Sequence, residues 1–265
     1  MEEKLERLRN LLGDLGSVLL AYSGGVDSTF LLKAAQEVLG RRVLAVTACS
    51  PTYPQRELRA AEEMARSLGV RFLFLSTGEL SYPEFSSNPP DRCYWCKKEL
   101  FARLWEIAQE QGIHFILDGT NFDDRDDLRP GRRAAREAGV RSPLLEVGLS
   151  KEEIRALSRK LGLSTWDKPS LACLASRIPY GIPITPEVLA RINEAEEFLL
   201  SLGLHQVRVR HHQEIARIEV ESQDESRVIQ HREEIVAKLR ALGYTYITLD
   251  LEGYQPGSLN RALQR

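Results

Sequence analysis

The chain has 265 residues, and its 36 Lys and Arg against 38 Asp and Glu give a formal net charge of −2. This balance offers no dominant basic surface, so a nucleic-acid partner is not expected. Hydrophobic residues make up 43% of the chain, enough for a sizeable core, yet no apolar run is long enough to span a bilayer.

The charged start of the chain, Met1–Lys4, lacks the apolar region of a signal peptide. We therefore expect a cytoplasmic protein with no membrane partner. Four Cys in that compartment indicate metal binding or catalysis before disulfides.

The first half of the chain alternates predicted strands with predicted helices. A short amphipathic helix over 3–12 precedes a buried strand over 17–21, and a helix from Ser28 ends near Gly40. Predicted strands over 42–48 and 71–76 flank a helix over 54–68. The alternation predicts an α/β fold with a parallel sheet, whose ligands lie beyond the carboxyl ends of its strands.

Between the first strand and its helix lies a Gly-rich turn of sequence SGGVDS, the Ser23–Ser28 loop. Gly24 and Gly25 let the backbone approach a phosphate, and the helix N-terminus attracts anions. The Lys-Ser/Thr ending of a Walker A loop is missing. The alternative is a purely structural role, in which this segment is a tight strand-to-helix turn without a ligand.

This hexapeptide resembles the loop of the PP-loop ATP pyrophosphatases, which cleave ATP to AMP and pyrophosphate and leave an adenylated substrate. The resemblance implies an adenine nucleotide alpha hydrolase-like fold, with ATP and Mg²⁺ as cofactors and adenine at the end of the second strand. ATP-binding residues are then Ser23, Gly24, Gly25, Asp27 and Ser28, and Asp27 is also a catalytic candidate.

A CxxC pair, Cys93 and Cys96, begins a helix that Asp91 can cap and that continues to about residue 109. The two thiols share a helix face near its positive end, which favours thiolates for attack or metal binding. Two packed, half-buried thiols and a thioredoxin-type redox pair remain alternatives.

A predicted fourth strand over 113–117 leads into Gly119, Thr120 and Asn121, which suit a ligand-facing turn. The acidic cluster within 123–127 either helps to hold Mg²⁺ or is a solvated charge run. Ser150 and Glu153 fit a capping box for the next helix.

The stretch 167–181 contains two prolines and Gly181 and predicts an irregular loop. It carries Cys173 beside Arg177, which makes Cys173 a candidate nucleophile. A buried structural thiol is the open alternative.

After Gly181 the pattern changes, and we divide the chain into a domain over 1–180 and a smaller α+β domain over 181–265. The second contains helices over 186–202 and 223–242, a predicted hairpin over 207–221 and a strand over 244–251. Arg208 and Arg210 lie on one face of the hairpin and can clamp a phosphate. The alternative interpretation, given equal weight, is that the two arginines lie on a solvated face and are balanced by Glu219 and Glu221.

Taken together, the motifs SGGVDS, RCYWCK, DGTNFDD with RPG, CLASRIPYG, VRVR and TLDLEGY with GSLN resemble one family over nearly the whole chain. It is the LarE family, which inserts sulfur into the nickel-pincer nucleotide cofactor of lactate racemase. The resemblance implies a small-molecule nucleotide substrate, pyridinium-3,5-biscarboxylic acid mononucleotide. ATP adenylates its carboxylate, and sulfur then displaces AMP.

The family has two kinds of sulfur donor. In one, a Cys matching Cys173 gives up its own sulfur; in the other, three Cys hold a [4Fe–4S] cluster that carries the sulfur. This chain resembles the second kind, with Cys93, Cys96 and Cys173 as ligands and sulfide or another donor as sulfur source. Zinc bound to the three Cys is the competing interpretation.

The resemblance also implies roles for other residues. Nucleotide contacts are implied for Gly119, Thr120, Asn121 and Arg129, substrate-phosphate contacts for Arg208 and Arg210, and a catalytic role for Arg177.

One departure concerns Gln255, where the family commonly has Arg, and it puts one substrate contact in doubt. A tRNA-thiolating PP-loop enzyme, an amidating PP-loop ligase and a non-enzymatic nucleotide sensor are the alternatives. We expect a homo-oligomer.

Overall fold

A computed structural model describes residues 1–125, 130–169, 172–255 and 257–263. Its contacts divide the chain into two compact units, one of residues 1–79 with 91–171 and the other of residues 80–90 with 172–265. None of the helices in the described ranges combines the length and apolar character that crossing a bilayer requires.

The first unit is an α/β fold, as the alternating pattern predicts. Its elements in chain order are α1 (Glu2–Leu15), β1 (Val18–Ala21), α2 (Val26–Leu39), β2 (Val43–Cys49), α3 (Gln55–Ser67) and β3 (Arg71–Ser76). The segment Pro83–Ser86 is α4 and belongs to the second unit, and the first unit continues with α5 (Arg92–Glu110), β4 (Ile116–Leu117), α6 (Pro130–Glu137), α7 (Pro143–Glu146) and α8 (Lys151–Lys160).

Four parallel strands in the described residues form the sheet of this unit, in the order β3-β2-β1-β4. Val18–Leu20 of β1 and most of β2 are buried, as expected of strands covered on both faces. Leu5, Leu8 and Leu12 of α1 pack with Phe30 and Leu31 of α2 in the largest apolar cluster. Since the strands are parallel, the loops after β1, β2 and β4 lie at one edge of the sheet.

Three local predictions need correction. The fourth strand is confined to Ile116 and Leu117, because the predicted first residue, Ile113, donates its N–H back to Ala108 O of α5 at 2.8 Å and so still belongs to the turn that ends this helix. The Asp91 side chain makes no capping hydrogen bond to α5. The predicted helix over 223–242 is broken at His231.

The second unit is α+β. It contains α9 (Pro186–Ser201), β5 (Val207–His212), β6 (Ile215–Val220), α10 (Glu225–Gln230), α11 (Arg232–Ala241) and β7 (Tyr246–Leu249). β5 and β6 form the predicted antiparallel hairpin, and β7 pairs parallel to β6. Val207, Val209 and Ile218 pack against helix residues such as Leu199 and Leu239 in a separate core.

Residues 80–90 join this second unit through Asn88, whose side chain is fully buried. Its amide nitrogen is 2.8 Å from Pro179 O and 2.9 Å from Ile182 O, and its backbone carbonyl accepts from Gly181 N at 3.0 Å. The compact units therefore differ from the sequence-based division at residue 180, which remains a prediction about domains.

Candidate functional site

The Ser23–Ser28 loop is held by its own hydroxyls. The Ser23 and Ser28 Oγ atoms are 3.0 Å apart, and Ser28 Oγ donates to Gly25 O at 3.2 Å. α2 begins at Val26, two residues earlier than predicted, so Asp27 and Ser28 lie in its first turn. No side chain of the described residues caps this N-terminus. Its first backbone N–H groups therefore remain available to an anion.

Two glycines allow close approaches around this loop. Gly24 has a φ of 70°, and a Cβ there would lie 2.9 Å from the Ala61 Cβ of α3. A Cβ on Gly119 would lie 3.0 Å from the backbone nitrogen of Ser28. The predicted nucleotide residue Gly119 is therefore packed directly on the first turn of α2.

Asp27 is paired with a lysine that no motif of the sequence indicates. Its Oδ2 lies 2.5 Å from Lys151 Nζ, at the start of α8. Its Oδ1 is buried and has no hydrogen-bond partner among the described residues. An orphaned carboxylate oxygen beside a phosphate-type loop fits a Mg²⁺ ligand.

Lys168 supports the same loop from the other side. Its Nζ lies 2.8 Å from Glu57 Oε2 and donates to Gly24 O at 3.1 Å. The ammonium thus holds the loop backbone while Glu57 holds the ammonium. Local sequence did not reveal this contact because the three residues come from three distant segments.

At the end of β2, Ser50 and Thr52 donate to one carboxylate oxygen of Glu79, at 2.5 and 2.9 Å. Glu79 is buried, and its Oε2 has no partner among the described residues. This network fixes the loop after β2, the expected adenine position.

The polar groups of Thr120 and Asn121 are engaged locally. Thr120 Oγ1 donates to Asp118 Oδ2 at 3.0 Å, and Asn121 caps a short 3₁₀ turn by accepting from Asp123 N at 2.9 Å. Asp123 Oδ2 in turn accepts from the backbone nitrogen of Lys151 at 2.8 Å. These side chains therefore shape the turn beside Gly119.

Asp124 Oδ2 accepts from the Asn121 backbone nitrogen at 3.1 Å, so both described members of the acidic cluster serve as caps. Asp126, Asp127 and the predicted nucleotide ligand Arg129 lie outside the described residues. The predicted capping box of Ser150 and Glu153 is confirmed.

Cys93 and Cys96 lie in the first turns of α5, Cys93 exposed and Cys96 half-buried. The helix spacing puts both on one face, as predicted. Within the described ranges, no group of three or more His, Cys, Asp or Glu side chains is assembled as a metal site.

Cys173, in the second unit, is half-buried and immediately precedes a 3₁₀ turn over Leu174–Arg177. Arg177 is buried, and its guanidinium forms a two-bond pair with the Glu196 carboxylate, each bond 2.9 Å. Its Nη1 also donates to the carbonyls of Ala172 at 2.7 Å and Cys173 at 3.2 Å. Burial opposes the charge of Arg177, but Glu196 outweighs it and the pKa is raised.

The predicted phosphate arginines have different surroundings. Arg210 is buried and forms a two-bond pair with buried Glu219, both bonds 2.9 Å. Its remaining donors contact Ser176 O and Ser258 Oγ, each at 2.7 Å. The charge of Arg210 is therefore already neutralised, and the idea of a solvated polar face does not describe it.

Arg208 has no carboxylate partner among the described residues, although only 7% of it is exposed. Its Nη2 donates to Tyr254 Oη at 2.9 Å, its guanidinium carbon lies 4.6 Å from the centre of that ring, and its Nε has no partner there. Burial, and then the charge of Arg177, lower the pKa of Arg208. An unneutralised buried guanidinium is suited to binding an anion.

Comparison with known proteins places the chain. No protein-family profile matches it. An uncharacterised protein of Synechocystis sp. is 46% identical over 267 residues, covering 100% of both chains. A protein of Lactiplantibacillus plantarum named pyridinium-3,5-bisthiocarboxylic acid mononucleotide synthase is 40% identical over 255 residues, 96% of this chain and 92% of that one. A glutamine-hydrolysing GMP synthase component of Archaeoglobus fulgidus is 24% identical over 220 residues, 75% of this chain and 69% of that one.

The match to the Lactiplantibacillus protein spans 96% of this chain and therefore includes both compact units. The parallel sheet with a Gly-rich loop after β1 agrees with the more distant GMP synthase relatives. The chain therefore belongs to the pyridinium-3,5-bisthiocarboxylic acid mononucleotide synthase (LarE) family of ATP-dependent PP-loop enzymes, which transfer sulfur in cofactor biosynthesis.

Proposed function

We propose that the protein adenylates a carboxylate of pyridinium-3,5-biscarboxylic acid mononucleotide and converts it to a thiocarboxylate. A carboxylate oxygen attacks the α-phosphorus of ATP and pyrophosphate leaves. A sulfur nucleophile then attacks the acyl carbon and AMP leaves. Adenylation is needed because the carboxylate alone would have to expel oxide.

The observation that carries this proposal is the orphaned Asp27 Oδ1 beside the open N-terminus of α2. Loop N–H groups of Ser23–Ser28 would bind pyrophosphate oxygens, Asp27 Oδ1 would bind Mg²⁺, and Lys151 Nζ would neutralise phosphate charge. When bound, Mg²⁺ supplies electrophilic stabilisation of the phosphates. Gly119 would keep this surface open, with Thr120 and Asn121 shaping the adjoining turn; Arg129 is proposed as a further nucleotide ligand.

For the substrate, Arg208 would contribute the uncompensated charge that binds the phosphate. Arg210, paired with Glu219, would orient the strand and the Ser176 backbone. Arg177 would act by holding the carbonyls around Cys173, because its donors are engaged there.

For the sulfur, we propose that Cys93, Cys96 and Cys173 bind a [4Fe–4S] cluster. Thiolates are the preferred ligands of such clusters, and the exposed Cys93 and the half-buried Cys96 lie together in the first turns of α5, where a cluster can reach them. When bound, the cluster would supply a transferable sulfide. Sacrificial donation by Cys173 is the rival route.

The test of the reaction is anaerobic incubation with ATP, Mg²⁺ and the dicarboxylate mononucleotide, with mass spectrometry of the products. AMP, pyrophosphate and a product in which sulfur replaces a carboxylate oxygen are expected. Pyrophosphate release that is independent of the mononucleotide would contradict the substrate assignment.

The test of the sulfur route is iron and sulfide analysis of anaerobic protein, with Cys93→Ala and Cys96→Ala beside Cys49→Ala as control. Loss of cluster and activity together, with Cys173 unchanged in mass after turnover, is expected. Conversion of Cys173 to dehydroalanine in active protein would support the sacrificial route instead.

A further inference from the structure

Two hydroxyls in the second unit each accept a hydrogen bond from one arginine of the pair on β5. Tyr254 Oη accepts from Arg208 Nη2 at 2.9 Å, and Ser258 Oγ accepts from Arg210 Nη2 at 2.7 Å. A guanidinium only donates, so each hydroxyl is the acceptor and its own proton must be directed elsewhere.

Neither proton has an acceptor among the described residues. The same is true of Arg208 Nη1, which donates to no described atom, while Arg208 Nε is wholly buried. The arginine pair and the segment after β7 therefore present several donors that no described acceptor satisfies, a pattern complementary to an anion with many oxygens.

The backbone of Tyr254 is held by contacts that do not involve Arg208. Its nitrogen donates to Val220 O at 2.8 Å, at the end of β6. The preceding Gly253 has a φ of 67°, and a Cβ there would lie 2.8 Å from the same Val220 oxygen. The main chain that carries the phenol is thus fixed by a glycine that no other residue can replace without strain.

We propose that Tyr254 and Ser258 are substrate-binding residues whose hydroxyls donate to the oxygens of a phosphomonoester. This rests on the phosphate role of Arg208 proposed above. Each arginine occupies one lone pair of its hydroxyl, which leaves the O–H free to donate to the anion. A phosphomonoester dianion has three terminal acceptor oxygens, which suits Arg208 Nη1 and two hydroxyls better than a carboxylate does.

The experiment is calorimetric titration with inorganic phosphate and with the dicarboxylate mononucleotide, using Tyr254→Phe, Ser258→Ala and the double variant. Tyr180→Phe and Ser201→Ala are matched controls, because the hydroxyls of Tyr180 and Ser201 bond to Asn260 Oδ1 and Phe198 O of the same unit rather than to the arginine pair. Arg208→Gln is the reference for loss of the site, and ATP affinity is the internal control.

Each single variant should raise the Kd for both probes by roughly tenfold or more, the effect expected for a hydrogen bond to a charged group. The double variant should show the product of the two factors, and the control variants should match the wild type. Unchanged Kd values in both single variants, with binding lost in Arg208→Gln, would overturn the hydroxyl role and leave the phosphate role of Arg208 intact.

If Arg208→Gln binds phosphate as well as the wild type, the phosphate role falls and the hydroxyl role falls with it. If the wild type binds phosphate but not the mononucleotide, the substrate of the proposed function is wrong. A loss of phosphate affinity in Tyr254→Phe and Ser258→Ala would still support the hydroxyls in that case.

Discussion

Lys151 Nζ lies 2.5 Å from Asp27 Oδ2, although 124 residues separate the two along the chain. The ammonium occupies one carboxylate oxygen and leaves Oδ1 buried without a described partner. In the function proposed above, this ammonium would also neutralise an incoming phosphate, so we expect Lys151 to contribute to pyrophosphate release.

Lys151→Met should therefore lower the rate of pyrophosphate release by roughly a hundredfold, the usual effect of losing one electrostatic stabiliser. Lys160→Met is the matched control on the same helix, because Lys160 pairs with Glu2 in solvent. Steady-state pyrophosphate assays with varied ATP measure both. Equal rates for the two variants would remove Lys151 from the site.

Gly24→Ala should abolish pyrophosphate release by displacing the loop. A Cβ at Gly24 would lie 2.9 Å from Ala61 Cβ, whereas Gly16 has nearly the same φ, 71°, and a Cβ there would have no atom of the described residues within 4 Å. Gly16→Ala therefore reports the cost of an unfavourable backbone conformation alone, about 1–3 kcal/mol. Urea denaturation and pyrophosphate assays of both variants separate displacement of the loop from backbone strain. Similar activities of the two variants would exclude displacement of the loop.

Arg208→Gln and Arg210→Gln should have opposite signatures. Arg210→Gln removes the two-bond partner of buried Glu219, which keeps only the contact of Arg217 Nη2 at 3.1 Å among the described residues. The free energy of unfolding should therefore fall by about 3 kcal/mol, the low end of the range for breaking a buried ion pair. Arg208→Gln breaks no ion pair among the described residues, so it should leave stability nearly unchanged while weakening binding of the mononucleotide. Urea unfolding measures the free energy of unfolding of each variant, and calorimetry measures its affinity for the mononucleotide. Strong destabilisation by Arg208→Gln would identify it as a structural residue.

His211 should make the second unit less stable in mild acid. Burial, and then the charge of Arg191, lower the pKa of His211 from 6.5 to about 4. The unfolded chain therefore binds more protons between these two values, so stability is complete above about 6.5 and is lost as pH falls towards 4. Its neighbours are Tyr244 Oη at 3.3 Å, Arg191 and His212.

His211→Gln should flatten this dependence, and His114→Gln, at an exposed position, should leave it unchanged. Urea midpoints between pH 4 and pH 7 provide the measurement. A wild-type midpoint that does not fall over this interval would contradict the burial of a neutral His211.

The chain sequence by itself determined the α/β class, the Gly-rich loop after β1, the CxxC helix and the hairpin with its two arginines. These features follow from local chemistry: hydrophobic periodicity, helix ends, turn residues and strand alternation are all written within short windows. The capping box at Ser150 and the helix stop at Leu39 belong to the same class.

Only the tertiary structure decided which charges are compensated. Nothing in the alternation of β5 distinguishes Arg208 from Arg210. Arg210 nevertheless pairs with a buried carboxylate, whereas Arg208 has no carboxylate partner among the described residues. Likewise Lys151 reaches Asp27, and Lys168 reaches Gly24, from segments far along the chain. Long-range ion pairs depend on distance and dielectric surroundings, which folding sets and local sequence does not encode.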